Sequence, residues 1–333
     1  MTILLLVSAL FAAPAPAPAA KPSANIALPG GPPVTMDYLA YDAQHGRIWA
    51  PGGNTGKVFV VDEKTGKVTP IDGFETAKVK GRDGNERTVG PSSASVGDGF
   101  VYVGSRAGAK VCAVDAKTLV RAGCVELSSS PDGVAYVATT HEVWVTTPRE
   151  KSLTILDVKK ADAPVVAGKI ALEGEPEGYA VDPGRGLFYT NFEDKDRTIV
   201  FDVKTRKIAA SWNPGCGEDG PRGIAIDTER RQLFVACTNK VKTLDAGKDG
   251  AVLGELETGA GVDNIDYLLK KHLVYAAAGR TGQLTVAEVS DQGALKKVSQ
   301  SKIAEGGRVV VVDSSGVAYI ADSKGGQLLV VKP

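Results

Sequence analysis

Neither sign of charge is in excess in this chain, which has 39 lysines and arginines against 39 aspartates and glutamates in 333 residues. This balance provides no global field that would attract nucleic acid or an anionic membrane surface. A Cys-x-x-Cys pair, a nucleophile elbow, a dinucleotide-binding fingerprint and a haem-attachment motif are also missing. The commonest sequence evidence for hydrolase, dehydrogenase or haem chemistry is therefore absent.

The N-terminal apolar run, from Ile3 to Ala13, is too short to span a bilayer. A Pro/Ala-rich stretch follows it, and Ala17-Pro18-Ala19 supplies small residues for cleavage before Ala20. We expect a signal peptide over residues 1–19 and a periplasmic or secreted mature protein over residues 20–333, without a membrane span. A disordered tail is the alternative interpretation.

What the sequence does contain is an internal repeat. One copy opens with Gly-Pro-Arg-Gly at residues 220–223 and continues with three short apolar runs separated by turn residues. The residue after the proline position recurs at intervals of 40 to 55 residues. These seven ring positions are Asp37, Ser92, Asp132, Glu177, Arg222, Asp263 and Arg308.

Seven copies of three or four short β-rich runs predict an all-β fold, a seven-bladed β-propeller of four-stranded blades in a single domain. Runs such as Val58–Val61 and Thr198–Phe201 are apolar without alternation, which is expected of strands covered on both faces. The last repeat supplies only three runs, the third ending at Val331. We expect Asn25–Leu28 to complete that blade and close the ring, because an open blade would leave an unpaired strand edge.

Two further features concern the loops. The longest connection, Phe74–Gly90, is rich in charged residues, and insertions of this length are often functional, although a solvated hairpin is the alternative. The three histidines, His45, His141 and His272, each fall in the turn between the first two strands of a different blade. This scatters them around one face and argues against a shared metal site.

The four cysteines predict two disulfide bridges. Cys112 and Cys124 should lie nearly opposite each other on the third and fourth strands of blade two. Cys216 lies in the loop entering blade five, and Cys237 ends the second strand of that blade, so the two can meet on one face. Export would allow such bridges to form, whereas buried free thiols are the alternative.

The seven ring positions begin the innermost strands, so we expect them to circle one mouth of the central channel. Acidic side chains concentrate on blade four, and basic or amide side chains on blades five to seven, which suits an anionic ligand beside a cation or a zwitterion. A water-filled polar mouth with internal ion pairs is the alternative. The candidate ligand-binding residues are Asp37, Ser92, Asp132, Glu177, Arg222, Asp263, Asn264 and Arg308.

The opening Gly-x-Pro-x-Gly-x-Ala-x-Asp at residues 174–182, together with Leu-Phe-Val-Ala, an aspartate-ended strand and a Thr-Gly-Lys turn, resembles the YVTN-type repeat family, the YncE-like seven-bladed propellers. The resemblance covers nearly all of the mature chain, although blades two and six lack the full Pro-x-Gly opening. It implies the propeller fold and export but no particular reaction, because many such proteins have none assigned. WD repeats are disfavoured, since no Trp-Asp dipeptide occurs.

Two functions stay open. The first is a monomeric binding or interaction module, without a cofactor, that uses the channel-mouth face for a small ligand or a protein partner. The alternative is a metal-dependent hydrolase similar to the gluconolactonase-type propellers, acting on a lactone or an ester. A divalent metal such as Ca²⁺ would then be held by Asp132, Glu177, Asp263 and Asn264.

Overall fold

The computed structural model describes residues 22–81, 84–218 and 220–332. The predicted signal peptide, residues 1–19, lies outside the described residues. Within the described part the chain forms seven four-stranded antiparallel sheets and one two-stranded hairpin, which confirms the seven-bladed β-propeller. In the same part of the chain, no helix has the length and hydrophobicity needed to cross a bilayer.

The strands follow one another blade by blade. The first strand and blade one are β1 (Ala24–Ala27), β2 (Ala40–Asp42), β3 (Arg47–Gly52), β4 (Lys57–Asp62) and β5 (Val68–Ile71). The inserted hairpin and blade two are β6 (Ala77–Lys80), β7 (Glu86–Val89), β8 (Pro91–Gly97), β9 (Phe100–Ser105), β10 (Lys110–Asp115) and β11 (Arg121–Glu126). Blades three and four are β12 (Val134–Val137), β13 (Glu142–Thr147), β14 (Ser152–Asp157), β15 (Val165–Ala171), β16 (Pro176–Asp182), β17 (Leu187–Phe192), β18 (Arg197–Asp202) and β19 (Lys207–Trp212).

The remaining blades complete the ring. Blades five and six are β20 (Pro221–Asp227), β21 (Gln232–Cys237), β22 (Lys240–Asp245), β23 (Val252–Glu257), β24 (Val262–Leu268), β25 (Leu273–Ala278), β26 (Gln283–Val289) and β27 (Leu295–Lys302). Blade seven is β28 (Val310–Val312), β29 (Ala318–Asp322) and β30 (Gln327–Val331). Short 3-10 turns occur at Gly53–Thr55, Pro148–Glu150 and Leu269–Lys271.

Blade seven is closed by N-terminal chain, as predicted. Strand β1 pairs antiparallel with β30, with Ala24 opposite Val330 and Ala27 opposite Gln327. The backbone N–H of Leu28 extends the pairing by donating to the carbonyl oxygen of Gly326 at 2.9 Å. The closing strand is therefore β1, one residue earlier at each end than the predicted Asn25–Leu28.

The hydrophobic core is divided into seven clusters, each lying between two neighbouring blades. Between blades three and four, for example, the fully buried Trp144 packs on Phe188 with ring centroids 4.9 Å apart. The second and third strands of each blade are buried on both faces, which explains why their sequences do not alternate. The outer strand alternates instead, as β11 shows, because one of its faces meets solvent.

Bulges at the start of several innermost strands position the ring residues. The strand pairing shifts register just after Glu177 and between Pro221 and Ile224. Gly178 has a φ of +66°, and a Cβ there would lie 2.6 Å from the carbonyl oxygen of Arg222 in the next blade. The glycine of the repeat thus lets neighbouring innermost strands approach closely at the mouth.

Both predicted disulfides are present. Cys112 is bonded to Cys124 across β10 and β11, and Cys216 is bonded to Cys237. The histidines also lie where predicted, in turns of three different blades. Each faces an aspartate: His45 lies 2.7 Å from Asp42, His141 lies 2.7 Å from Asp98 and His272 lies 3.4 Å from Asp227.

Candidate functional site

Six of the seven ring positions line one central cavity of about 310 Å³, which we name the mouth cavity. Its described lining residues are Asp37, Val79, Arg87, Val89, Arg106, Ser130, Pro131, Asp132, Pro148, Arg149, Glu177, Glu193, Arg222, Asp263 and Arg308. The seventh ring residue, Ser92, is buried in an adjoining cavity of about 150 Å³ beneath the inserted hairpin. The repeat therefore places all seven ring side chains at one end of the channel, as predicted.

Two arginines join three of the ring carboxylates into one network. The guanidinium of Arg106, from the loop after β9, donates to both Asp37 and Asp132. Arg308 forms ion pairs with two aspartates: its Nη1 lies 2.8 Å from Oδ2 of Asp263, and its Nη2 lies 3.6 Å from Oδ1 of Asp37. Blades one, two, three, six and seven are thus connected at the mouth by shared ion pairs.

Burial and the two arginines act in opposite directions on these carboxyl groups. Burial alone would raise the pKa of Asp37, but the charges of Arg106 and Arg308 outweigh it and lower that pKa. At Asp132 burial prevails over Arg106, and the pKa is raised. Burial likewise raises the pKa of Asp263 to about 6, against the opposing charge of Arg308.

Glu177 lies at the base of the mouth cavity beside a tyrosine rather than a cation. The hydroxyl of Tyr38 donates to Oε1 of Glu177 at 2.9 Å and lies 3.3 Å from Oδ2 of Asp132. The same hydroxyl accepts from the backbone N–H of Gly178 at 3.1 Å. Burial, and then the neighbouring carboxylates of Asp132 and Asp263, raise the pKa of Glu177 well above its usual range.

Tyr38 also closes the mouth cavity on the side facing the rest of the channel. The ring of Tyr38, from blade one, stacks on that of Tyr179, from blade four, with centroids 5.6 Å apart. Both rings line a further cavity on the other side from the mouth carboxylates. The Tyr38–Tyr179 pair therefore lies between the mouth cavity and the rest of the channel.

Arginines surround the upper part of the mouth. Arg87, from the inserted hairpin, and Arg149, from the turn after β13, both line the cavity and are exposed. Arg222 pairs with Glu193. Its loop is held by the Cys216–Cys237 bridge and by Asp196, whose carboxylate accepts the backbone N–H of Cys216 at 3.0 Å.

Several features of the site depart from the sequence prediction. Asn264 does not line the mouth cavity; it is 8% exposed and lines the cavity beyond the tyrosine pair, because it follows the ring residue by one position and points to the other face. Tyr38, Arg106 and Arg87 are site residues that the repeat does not predict. Arg106 and Arg87 lie in loops, and the only sequence signal for Tyr38 is its position next to Asp37.

The alternative metal site has no support in the geometry. Among the described residues, no three His, Cys, Asp or Glu side chains are grouped so that they could hold a metal ion. Of the four proposed ligands, Asp132 and Asp263 bond to arginines, and Asn264 lines a different cavity.

No protein-family model matches this chain, and no curated protein matches it in sequence. Solved structures do match its fold. A chain in the crystal structure of a mitotic checkpoint complex is 12% identical, with 99% of each chain covered and a TM-score of 0.76. The RRP9 WD40 repeats are 10% identical, covering 94% of this chain and 99% of that one, with a TM-score of 0.74. Hydrazine synthase from Kuenenia stuttgartiensis is 14% identical, covering 91% and 96%, with a TM-score of 0.72. At these identities the likeness shows the propeller fold alone.

Proposed function

We propose that this protein is a binding module whose mouth cavity holds the anionic group of a small ligand. The observation that carries the proposal is the distribution of charge at the mouth. Arg106 and Arg308 form ion pairs with Asp37, Asp132 and Asp263. The negative charge of the buried carboxylates is therefore largely neutralised by the protein itself. The side chains left facing the cavity and the solvent are mainly arginines.

Arg87 and Arg149 are the two arginines best placed to receive a ligand. Both are exposed at the cavity, and neither makes an ion pair with any other described residue. Arginine offers a planar fork of N–H donors that matches a carboxylate or a phosphate through two parallel hydrogen bonds. A cavity of about 310 Å³ is at the lower end of the usual range for small-molecule sites.

Arg222, which is paired with Glu193, adds a third arginine to the mouth cavity on a stiffened loop. The Cys216–Cys237 bridge and the contacts with Asp196 restrict the chain that carries Arg222. A preordered loop lowers the entropy lost on binding. Glu177 at the base of the cavity, whose pKa is raised, provides a hydrogen-bonding position for the polar part of the same ligand, next to the Tyr38 hydroxyl.

The test uses citrate and pyrophosphate as probes in calorimetric titrations at low ionic strength. We expect Arg149→Ala and Arg222→Ala each to weaken binding about tenfold, which corresponds to about 1.4 kcal/mol for one charged contact. Added salt should weaken wild-type binding further, because the contacts are partly exposed.

Lys204→Ala is the matched control, because it removes one exposed positive charge from the turn between β18 and β19, at the opposite face. Its affinity should equal that of the wild type. The proposal fails if neither probe binds at concentrations up to about 10 mM, or if the arginine variants and the control bind equally well.

We further propose that the chain is exported and belongs with the YVTN-type propellers. Two disulfides agree with an oxidising compartment, where such bridges persist. The repeat motifs given above support the family. Mass analysis of the mature protein after secretion tests the export proposal: a mass that begins at Ala20 supports it, and a chain retained uncleaved in the cytoplasm contradicts it.

A further inference from the structure

Beyond the Tyr38–Tyr179 pair, the channel widens into two adjoining cavities of about 490 and 320 Å³, which we name together the distal cavity. Both parts share Ser95, Tyr179, Ile224, Asp266 and Tyr267 as lining residues. The larger part exceeds the mouth cavity in volume. The distal cavity is therefore large enough for a ligand of its own.

The charges of the distal cavity have one sign. Asp266 and Asp313 are its charged residues, and no lysine, arginine or histidine is found among the described residues that line either part. Asp313 is used by the turn that follows β28, where its carboxylate accepts the N–H groups of Ser315, Gly316 and Val317. Asp313 is also only 5% exposed, so Asp266, which is half-buried, is the carboxylate that can meet a ligand.

Asp266 is half-buried and is held in place by backbone donors. Its Oδ2 accepts the N–H of Val312 at 2.7 Å, and its Oδ1 accepts the N–H of Tyr267 at 2.8 Å. No described lysine, arginine or histidine makes an ion pair with it. A half-buried carboxylate without a counter-ion, in a wall that carries no positive charge, favours a cation strongly over an anion.

Aromatic faces and one unpaired amide complete the wall. Tyr38, Tyr41, Tyr179 and Tyr267 all line the larger part of the cavity, among aliphatic side chains such as Ile265. A cation over an aromatic face is stabilised by the ring quadrupole, and more so when it is desolvated. Asn264, which is 8% exposed, lines the same cavity, and its Nδ2 has no hydrogen-bond partner among the described residues.

We propose that the distal cavity is a second binding site, which takes an organic cation: an ammonium group carried on an aromatic or apolar body. The ammonium group contacts Asp266, and the body lies against the tyrosines and the aliphatic wall. This site differs from the mouth cavity in its lining residues, which among the described residues include no cation, and in the face of the propeller from which it is entered.

The probe is benzylammonium, with benzyl alcohol as its neutral counterpart, titrated into the full chain by calorimetry. The measurement is made at pH 8, because burial raises the pKa of Asp266 to about 6 and the carboxylate must be ionised. We expect benzylammonium to bind at least about tenfold more tightly than benzyl alcohol. We expect Asp266→Asn to abolish most of that preference.

Two further variants make the outcome decisive. Asp249→Asn removes the same charge from the exposed turn between β22 and β23, away from the cavity, and should bind like the wild type. Leu39→Trp adds bulk to the cavity wall and leaves every charge in place, so it should weaken benzylammonium binding at least fivefold even if Asp266→Asn does not fold. Equal affinity for the two probes, or no benzylammonium binding up to about 20 mM, would overturn the proposal. So would wild-type affinity in Leu39→Trp.

Discussion

At the scale of single residues, Glu177 is the mouth carboxyl whose environment is least compensated. Arg106 and Arg308 bond to Asp37, Asp132 and Asp263, whereas Glu177 receives a hydrogen bond from Tyr38 and makes no ion pair with a described cation. Burial and the surrounding carboxylates raise its pKa well above 4.5. Between the unfolded pKa of 4.5 and the raised folded pKa, the folded protein therefore keeps a proton at Glu177 that the unfolded chain releases.

We predict that Glu177→Gln stabilises the fold at pH 7–8 and has little effect near pH 4. Above an unfolded pKa of 4.5, the unfolded chain ionises at Glu177 while the folded state keeps its proton, so stability falls as the pH rises toward the folded pKa. Glutamine resembles the protonated form and removes this loss. The free energy of unfolding of Glu177→Gln relative to the wild type should grow by up to about 1.4 kcal/mol per pH unit. Thermal unfolding of both proteins at several pH values measures this difference.

Glu173→Gln is the matched control, because Glu173 is exposed four residues earlier, just before the same strand. Its difference from the wild type should not change with pH. A pH-independent effect of Glu177→Gln, or a loss of stability that grows with pH, would show that Glu177 is not held protonated in the fold.

The residues at the mouth illustrate what the sequence could and could not show. The repeat identified all seven ring positions, because their place at the start of the innermost strands follows from the period alone. It could not show that Arg106 would lie between Asp37 and Asp132, since that contact depends on how a loop of blade two turns inward. The role of Tyr38 was missed for the same reason: its hydroxyl reaches blades three and four across the channel.

At the scale of elements, β1 contributes more to the stability of the fold than its length of four residues suggests. It supplies the outer strand of blade seven, and it leads into Leu28, which is 3% exposed and packs in the cluster between blades one and seven. Ile26 packs against the same cluster. Removal of this segment opens the ring and exposes the edge of β30.

We predict that a chain beginning at Gly30 unfolds at a temperature at least about 6 °C lower than a chain beginning at Lys21. Loss of one large buried apolar side chain costs roughly 3 kcal/mol, and each kcal/mol shifts the midpoint by about 2–4 °C for large domains. Since both chains lack the N-terminal apolar run, their difference isolates β1 and Leu28. Equal midpoints in calorimetry would mean that blade seven needs no fourth strand.

Strand order and closure were predictable because each blade repeats one pattern of apolar runs and turns. The inserted hairpin was predictable only as an insertion. Its charged residues fit a solvated hairpin equally well, and only the three-dimensional structure shows that Val79, Arg87 and Val89 reach the mouth cavity. An element without a counterpart in the other blades has no repeat from which its position can be inferred.

At the scale of the whole molecule, a net charge of zero conceals two ends of opposite character. One end of the channel presents arginines above compensated carboxylates, and the other presents Asp266 and tyrosines without a cation in the described wall. The Tyr38–Tyr179 pair lies between them. Overall composition averages such a separation away, so the balanced net charge of the chain carries no information about either cavity.

The two disulfides should differ in what they do for the molecule. Cys112–Cys124 joins neighbouring strands of one hairpin, 12 residues apart in sequence, and lies away from the mouth cavity lining. Cys216–Cys237 closes 21 residues and holds the loop that ends in Arg222. Each bridge lowers the conformational entropy of the unfolded chain and should thereby raise the free energy of unfolding by roughly 3 kcal/mol.

We therefore predict that replacing either pair with alanines lowers the free energy of unfolding by roughly 3 kcal/mol, but that only the Cys216→Ala/Cys237→Ala variant weakens citrate binding at the mouth. Without the bridge, the loop that carries Arg222 is more mobile and loses more conformational entropy when citrate binds. Denaturant titration and calorimetry on both variants measure the two effects separately.

The Cys112→Ala/Cys124→Ala variant is the control for lost stability, because its binding curve should match the wild type at a temperature where both are folded. If the two variants bind citrate alike, the bridge near Arg222 stabilises the fold only, and the stiffness of that loop has no part in recognition.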